Sequence, residues 1–441
     1  MMNNLLNIDL WIKLLRSVFD LTMFTLSIYP ILGSFFWLSG SLCYRFLKKN
    51  LRDDNWITIP EQDQPFITIM IPVHNEELVL ERTIRYLCEK VNYSKFEILA
   101  INDGSTDRSQ EILERLQMTY DKLRVINITK NSGKAHAFNV GINFAKGDYV
   151  LSNDADTIPE PNALMKYMNF FKDKNPNICA VTANSDVRNR SSLLGKSQTL
   201  EFSSIIGIIK RSQAAIYDSL YAYSGANTMY KKSFLIAVGG FRQDRITEDI
   251  SIAWDHNAVG GIPTFAPNII SHLIVPNNFN DLYKQRKRWA QGGTEVWLAN
   301  FKKIIMHPFK RYTLLPLLAD ATFSIIWSFF FVITTILFWL TFVVAMITGN
   351  HALANTYLFQ ALVLISFELI AGVIQLLAAV IIDDRIQKMR YFGFAPLYIL
   401  FYWIVGPITV VHTFFAALKS VFGGGSGIWV SPQRKASDLD G

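Results

Sequence analysis

The sequence is poor in cysteine and lacks the glycine-rich loops that usually bind nucleotides. Its 441 residues include only Cys43, Cys88 and Cys179, whose spacing is not that of metal ligands. Disulfides and a structural zinc site are therefore disfavoured. Neither Gly-x-x-x-x-Gly-Lys-Ser/Thr nor a well-placed Gly-x-Gly-x-x-Gly occurs, which argues against an ATPase and against a dinucleotide-dependent enzyme.

Charged residues are also scarce, at 18% of the chain against 50% apolar residues. This composition is too apolar for a purely cytosolic enzyme and too polar for a pure transporter. The formal net charge of +7 comes mostly from lysine and arginine beside long apolar segments. No dense basic stripe with interleaved aromatic residues is present, so the positive charge does not predict nucleic-acid binding.

Long apolar segments lie at both ends of the chain. Residues 24–46 contain an uncharged run long enough to cross a bilayer, which takes ~20 residues, and basic residues follow it. Residues 10–23 fit either an interfacial helix or part of a second span. Three further segments lie at 312–347, 357–382 and 392–418, the first with room for an interfacial lead-in.

The distribution of basic residues predicts the orientation in the membrane. The stretch before residue 312 and the loop at 383–390 are basic, whereas 348–356 contains no lysine or arginine. Since basic loops stay in the cytoplasm, we predict a multi-pass plasma-membrane protein with a cytoplasmic catalytic domain. Three complete C-terminal spans would place the tail outside, and a re-entrant third segment would return it inside. The predicted divisions are an anchor of one or two helices at 1–52, a catalytic domain at 53–301, about three membrane segments at 302–422 and a polar tail at 423–441.

The middle of the chain alternates short strands with amphipathic helices. Such a succession predicts an α/β fold with a mostly parallel sheet and right-handed crossovers. Ser105 is expected to cap the second helix. The ligand of such a sheet lies at the carboxyl ends of its strands. Strands are predicted at 66–71, 96–101, 124–128, 149–152 and 178–182, and helices at 78–89, 106–118, 134–145 and 163–172.

Polar residues follow three of these strands where each one ends. They are Asn75 and Glu76 after the first strand, Asp103 after the second, and Asp154 and Asp156 after the fourth. One such loop alone is usually just a turn. Three strands that deliver carboxylates to one sheet edge predict a binding site.

These carboxylates suit a nucleotide-sugar donor. Breaking the sugar-diphosphate bond develops negative charge on the leaving diphosphate, which a divalent cation stabilises. Mg²⁺ and Mn²⁺ are suitable cations, and they prefer carboxylate oxygens as ligands. We expect Asp154 and Asp156 to hold the metal and Asp103 to hold the base or ribose. Lys134 begins a helix after a glycine turn, where free amides and its charge suit phosphate. A solvated lysine on an ordinary turn is the alternative interpretation.

Two further motifs precede the C-terminal segments. Thr247-Glu248-Asp249 is an acidic cluster, and Gln285-x-x-Arg288-Trp289 places its three named residues on one face of a helix. Arg288 suits bidentate phosphate binding, and the Trp289 ring offers a plane for a sugar. Basic and aromatic residues that simply anchor a helix at the membrane interface are the alternative.

Together these motifs resemble the processive family-2 glycosyltransferases, the group of cellulose, chitin and hyaluronan synthases. Within that group the chain is similar to the bacterial poly-β-1,6-N-acetylglucosamine synthases of biofilm matrix, and the resemblance runs over nearly the whole chain from Tyr29. The stretches similar to that subgroup are 181–188, 194–196, 208–213, 289–293 and 429–432.

The resemblance implies a GT-A domain, the Rossmann-like fold of many glycosyltransferases, that uses a UDP-sugar and a divalent metal. It implies a growing polysaccharide acceptor, the bilayer and a small membrane accessory subunit as partners. It assigns Asp103 to uridine, Asp154 and Asp156 to diphosphate, metal and donor sugar, Asp249 to the catalytic base, and Gln285, Arg288 and Trp289 to diphosphate and acceptor.

The expected reaction is an inverting single displacement in which Asp249 takes the acceptor proton. A neighbouring Glu248 carboxylate should raise the proton affinity of that base. Aromatic residues of the spans, such as Trp327, could line a channel, but most of them are expected to face lipid or to anchor helices at the membrane interface.

Two departures from the subgroup leave the product open. Residues 182–186 read Thr-Ala-Asn-Ser-Asp where the subgroup commonly has Thr-Gly-Asn-Pro-Arg, and 431–434 read Ser-Pro-Gln-Arg instead of Ser-Pro-Asp-Arg. The first change borders the expected donor-sugar pocket. Hyaluronan-, chitin- or N-acetylmannosamine-type polymers are therefore alternatives. A transferase that moves one sugar to a lipid phosphate has no need of the 285–289 motif, and a transporter or inactive scaffold leaves the clustered acids unexplained.

Overall fold

The computed structural model describes residues 8–47, 56–172, 175–202, 206–382 and 386–424. The predicted motif at 431–434 and most of the predicted tail lie outside these residues. The core of the described chain is an eight-stranded sheet in the order β3-β2-β1-β4-β7-β6-β8-β5. Its strands are β1 (Ile67–Val73), β2 (Phe96–Asp103), β3 (Leu123–Ile128), β4 (Tyr149–Asn153), β5 (Ile158–Pro159), β6 (Ile178–Val187), β7 (Asn227–Lys231) and β8 (Ile262–Leu273).

The helices are numbered in chain order. They are α1 (Ile8–Leu47), α2 (Leu80–Lys90), α3 (Ser109–Gln117), α4 (Lys134–Phe144), α5 (Ala163–Phe171), α6 (Leu193–Leu200), α7 (Ile206–Ile216), α8 (Lys232–Ala237), α9 (Glu248–Ala258), α10 (Phe279–Met306), α11 (Leu315–Ile347), α12 (His351–Ile382) and α13 (Ala395–Gly423). Short 3-10 helices lie at Glu61–Asp63, Pro308–Leu314 and Ile386–Phe394.

The strands that carry the predicted site run parallel. β1 pairs in parallel with β2 and with β4, and β2 pairs in parallel with β3. The α/β fold with a mostly parallel sheet is therefore confirmed. β7 lies antiparallel between β4 and β6, and β5 lies antiparallel to β8, a reversal that the sequence pattern did not indicate.

β1 is buried on both faces, which explains its nearly unbroken apolar sequence. Ile69 packs on one face with Leu80 and Ile84 of α2. Met70 points to the other face and packs with Phe138 of α4. Because helices cover both sides, the polar ends of these strands are left at one open edge.

The predicted cap of α3 is wrong. The helix begins at Ser109 rather than near residue 106, and the Ser109 amide donates to Asp107 Oδ1 at 2.9 Å. Ser105 Oγ instead accepts the Asn75 amide at 3.1 Å. The Ser105 hydroxyl therefore joins two loops at the sheet edge instead of capping the helix.

Three described helices are long and apolar enough to cross a membrane, and they correspond to the predicted C-terminal segments. The lead-in predicted for the first segment is the 3-10 helix before α11. α1 is one continuous helix that passes through Pro30, so the described N-terminal residues form one helix rather than two.

Hydrogen bonds tie the N-terminal helix α1 and the apolar helix α13 to the rest of the chain. Tyr44 of α1 donates its hydroxyl proton to the Phe265 carbonyl of β8 at 2.8 Å. Tyr283 of α10 hydrogen-bonds to His412 of α13 at 2.8 Å. The long helix α10 therefore runs between the α/β domain and the apolar C-terminal helices.

Candidate active site

Asp103 fixes the loop that begins α4. Its Oδ1 accepts the Ser132 amide at 3.0 Å and its Oδ2 accepts the Gly133 amide at 2.8 Å. His74 Nδ1 donates to the Asp103 carbonyl at 2.8 Å, so its Nε2 is free to accept from Asn131 Nδ2 at 3.0 Å. These hydrogen bonds join the loops at His74, Asp103 and 131–133 into one rim at the sheet edge. The predicted contact of Asp103 with uridine stays a prediction.

Asn75 and Glu76 complete this rim. Asn75 adopts a positive φ of 57°, a conformation that asparagine tolerates better than most residues, and its Oδ1 accepts the Thr106 amide at 2.8 Å. The Glu76 amide donates to Ser109 Oγ at 2.9 Å, and the Glu76 side chain is buried. The structure gives both residues a role in joining the first and second strand-end loops.

Lys134 is a buried cation at the centre of the site. Its Nζ lies 2.7 Å from Asp154 Oδ1 and 3.0 Å from Glu248 Oε1, and the residue is 8% exposed. Burial alone would lower its pKa, but the carboxylates of Asp154, Glu248 and Asp249 raise the pKa above its usual range. Lys134 is therefore not the solvated lysine of the alternative interpretation.

Asp249, at the start of α9, lies beside this cation. Gly225 donates its amide to Asp249 Oδ2 at 3.2 Å, and the Ile250 amide donates to Oδ1 at 2.9 Å. A Cβ placed on Gly225 would lie 3.0 Å from both Glu248 Oε1 and Lys134 Nζ. Gly225 thus lets the backbone approach the acidic cluster closely. No sequence pattern marks this residue, because a lone glycine is common in turns.

Burial and the Glu248 carboxylate raise the pKa of Asp249 to about 6, against the opposing charges of Lys134 and Arg288. A base must be deprotonated to act, so we expect kcat/KM to fall as the pH drops through about 6. Glu248→Gln removes a negative neighbour and should move this acidic limb to lower pH. The acidic limb is measured in a pH profile of UDP release for the wild type and for Glu248→Gln. An acidic limb at the same pH in the two proteins would contradict an effect of Glu248 on the pKa of Asp249.

The predicted motif at 285–289 lies on α10, and its residues divide between two neighbours. Arg288 is close enough to Asp249 for its charge to oppose the rise in that pKa. The Trp289 ring contacts Phe202 edge-on, with ring centroids 6.4 Å apart. The buried Oε1 of Gln285 has no hydrogen-bond partner among the described residues. Arg288 and Trp289, predicted to share one face of the helix, therefore face two different neighbours: Asp249 and Phe202.

α10 is pressed directly against the segment that leads into Asp249. A Cβ placed on Gly292 would lie 2.2 Å from Thr247 Oγ1. One turn further along the helix, Glu295 is fully buried and its Oε2 accepts the Ile246 amide at 3.1 Å. Neither Gly292 nor Glu295 was a predicted site residue, although both fix the distance between the segment that leads into Asp249 and α10.

We expect Gly292→Ala to reduce activity by about 10²-fold, because its methyl group would force α10 away from Thr247 and misalign Arg288 with Asp249. Polymer synthesis per unit of membrane-inserted protein is the measurement. Gly423→Ala, at a helical position where a Cβ meets only the Lys419 side chain at 3.9 Å, is the matched control. Equal activity in the two variants would contradict this positioning role.

Asp154 and Asp156 suit a divalent cation whose remaining ligands come from a substrate. Asp156 is buried and Asp154 is partly exposed at the end of β4. No group of three potential metal-ligating acids, histidines or cysteines occurs within the described ranges. Mg²⁺ is commonly bound by one or two carboxylates together with substrate phosphates, so this pair suits a metal that arrives with a diphosphate.

A cavity of about 350 Å³ lies beside Trp289, lined by α1, α6, α7, α10 and the apolar C-terminal helices. Aromatic side chains from several helices line it, together with polar residues such as Ser34 and Gln375. Trp327 is among them, with its Nε1 donating to the Leu26 carbonyl at 3.0 Å. Trp327 therefore lines this cavity, because the packing of α11 against α1 turns its ring inward. The aromatic residues are Tyr29, Trp37, Trp289, Trp327, Tyr398, Phe401, Tyr402 and Trp403.

Comparisons with known proteins identify the family. Residues 68–239 match the family described as Glycosyl transferase family 2. A poly-beta-1,6-N-acetyl-D-glucosamine synthase of Staphylococcus epidermidis is 36% identical over 424 residues, covering 95% of this chain and 98% of the relative. The enzyme of the same name from Staphylococcus aureus strain COL is 36% identical over 412 residues, covering 92% and 97%.

The fold also matches a solved structure. A mannosyltransferase from Pyrobaculum calidifontis, in complex with GDP-Man and Mn2+, has a TM-score of 0.54 and 19% identity. The match covers 82% of this chain and 99% of the other. At this identity the likeness concerns the fold, a Rossmann-like GT-A domain.

Proposed function

The chain belongs to glycosyl transferase family 2, and from that membership we propose that it is a membrane-embedded processive synthase. The proposed reaction polymerises N-acetylglucosamine from UDP-N-acetylglucosamine into a β-1,6-linked exopolysaccharide and moves it across the membrane. One observation carries this proposal: α10 presents Arg288 to the buried acids and Trp289 to an aromatic cavity among the membrane helices. Relatives named for this activity match over almost the whole chain.

The donor diphosphate would bind at the rim beneath the strand ends. Lys134 and the free amides at the start of α4 offer positive charge to phosphate. Asp154 and Asp156 would hold the divalent cation, which when bound stabilises the negative charge of the leaving diphosphate. Asp103 would stay fixed to the amides of 132 and 133 while the rim receives the uridine.

Asp249 would act as the base of an inverting displacement. Its carboxylate takes the proton from a hydroxyl at the non-reducing end of the polymer while that oxygen bonds to the anomeric carbon of the donor. The bond between that carbon and the diphosphate oxygen breaks, and UDP leaves with the electron pair. The pKa of about 6 keeps Asp249 available as a base near neutral pH.

The extended polymer would pass over Trp289 into the cavity. Aromatic planes suit the apolar faces of sugar rings, and side chains such as Gln375 suit their hydroxyl groups. In this arrangement the catalytic domain, 53–301, is cytoplasmic, α1 serves as the membrane anchor, and residues 302–422 form the exit through the plasma membrane. A small membrane accessory subunit is a further partner in this proposal.

The direct test supplies membranes that contain the protein with a panel of UDP-sugars and Mg²⁺ or Mn²⁺. We expect polymer only from UDP-N-acetylglucosamine, with β-1,6 linkages by methylation analysis and NMR, and no product after chelation of the metal. Polymer from another UDP-sugar would assign a different synthase, which matters because Asp186 departs from the related subgroup. Products limited to one sugar on a lipid would contradict processive synthesis.

A further inference from the structure

A buried ion pair lies beside Trp289 at the boundary between the site and the cavity. Arg286 Nη1 and Nη2 contact Glu201 Oε1 and Oε2 at 2.5 and 2.6 Å. The Glu201 side chain is 3% exposed and that of Arg286 12%. Both residues line the cavity, although neither belongs to the predicted set of site residues.

The Arg286 guanidinium lies against the ring of Trp289, with Cζ 4.6 Å from the ring centroid. Phe202, next to Glu201 in the chain, meets the same indole edge-on. The Trp289 ring is therefore held directly by Phe202 and Arg286, and Glu201 acts on it through Arg286. Arg286 contributes a flat cation and Glu201 fixes its orientation through both guanidinium nitrogens.

Stability alone is a poor explanation for such a pair. Burying two charges costs desolvation, and well-packed apolar residues often replace such pairs without loss of stability. A planar bidentate contact does, however, hold an arginine in one orientation. An arginine in one orientation gives the stacked indole one orientation as well.

We infer that Glu201 and Arg286 are positioning residues that hold Trp289 at the cavity mouth, and that they set how long the polymer stays bound between additions. The inference rests on the proposed function and assigns the pair to retention of the sugar chain. Chemistry at Asp249 depends on a different face of α10, the one that carries Arg288 and Gly292. Loss of the pair should therefore shorten the product more than it slows each transfer.

The test compares Glu201→Gln, Arg286→Lys and the exchange Glu201→Arg with Arg286→Glu, all in the full chain in membranes. Initial UDP release and product length on gels are measured with saturating UDP-N-acetylglucosamine. Loss of one cation–π stack corresponds to about a tenfold loss of retention, so product length should fall by about tenfold. Initial UDP release should fall by less than about threefold.

Matched controls separate positioning from folding. Asp255→Asn breaks another bidentate pair, with Arg242 at 2.7 and 2.9 Å, and should leave product length unchanged. The exchanged pair restores charge balance but removes the guanidinium from Trp289, so product should stay short. Full-length product from the exchange, or from Glu201→Gln, would overturn the inference, as would UDP release that falls in parallel with length. Wild-type protein that makes no polymer would instead contradict the proposed function and this inference with it.

Discussion

Asp249→Asn is expected to reduce polymer synthesis by roughly 10²- to 10⁴-fold, the usual contribution of a positioned general base. The asparagine keeps the size of the side chain and can still accept the Gly225 amide. It cannot take up the acceptor proton. Because Lys134 and Asp154 remain in contact, UDP-sugar binding should change only slightly. Polymer synthesis and equilibrium binding of labelled UDP-sugar are measured on the same membranes.

Asp255→Asn is the matched control for this experiment. Asp255 lies on the same helix, α9, but pairs with Arg242 away from the cluster. We expect it to retain near-normal synthesis. Substantial synthesis by Asp249→Asn, or an equal loss in both variants, would refute the assignment of Asp249 as the base.

Lys134→Met is expected to reduce synthesis strongly by weakening donor binding. The ammonium is held by two carboxylates within 3.0 Å, and removing one partner of a buried pair leaves uncompensated charge at a cost of roughly 3–5 kcal/mol. A charge-assisted contact to phosphate is also lost, so the Kd for UDP-sugar should rise roughly 10- to 100-fold. Any residual activity should require higher pH, because Lys134 lowers the pKa of Asp249.

Lys166→Met controls for the loss of a buried lysine. Lys166, on α5, is also 8% exposed, and its Nζ lies 2.9 Å from Glu160 Oε2. Thermal unfolding should show destabilisation in both variants, whereas only Lys134→Met should lose donor affinity. Normal donor affinity in Lys134→Met would contradict a phosphate-binding role.

The parts of the fold that follow from local pattern were predictable. β1 is a short apolar run, and strand ends of parallel sheets bring polar loops together, so Asp103 and Asp154 were expected at one edge. β7 was not predicted because Asn227 to Lys231 mixes polar and apolar residues, and its buried face is decided by neighbours in the sheet. Strand direction depends likewise on connections that local periodicity does not record.

The site residues that escaped prediction have partners far away in the chain. Glu201 and Arg286 are 85 positions apart, and Glu295 meets Ile246 across 49 positions. Nothing in the sequence around either residue identifies such a partner. Trp289 was predicted because it belongs to a recognisable motif, whereas Arg286 within the same motif has a role that only the packing reveals.

The placement of α10 has an energetic consequence. Through Gly292 this helix touches the segment that leads into Asp249, and it reaches α13 through Tyr283 and His412. In the proposed reaction each sugar added at one side of α10 pushes the preceding ring into the passage on the other side. The free energy released when the donor bond breaks is then also the driving force for secretion.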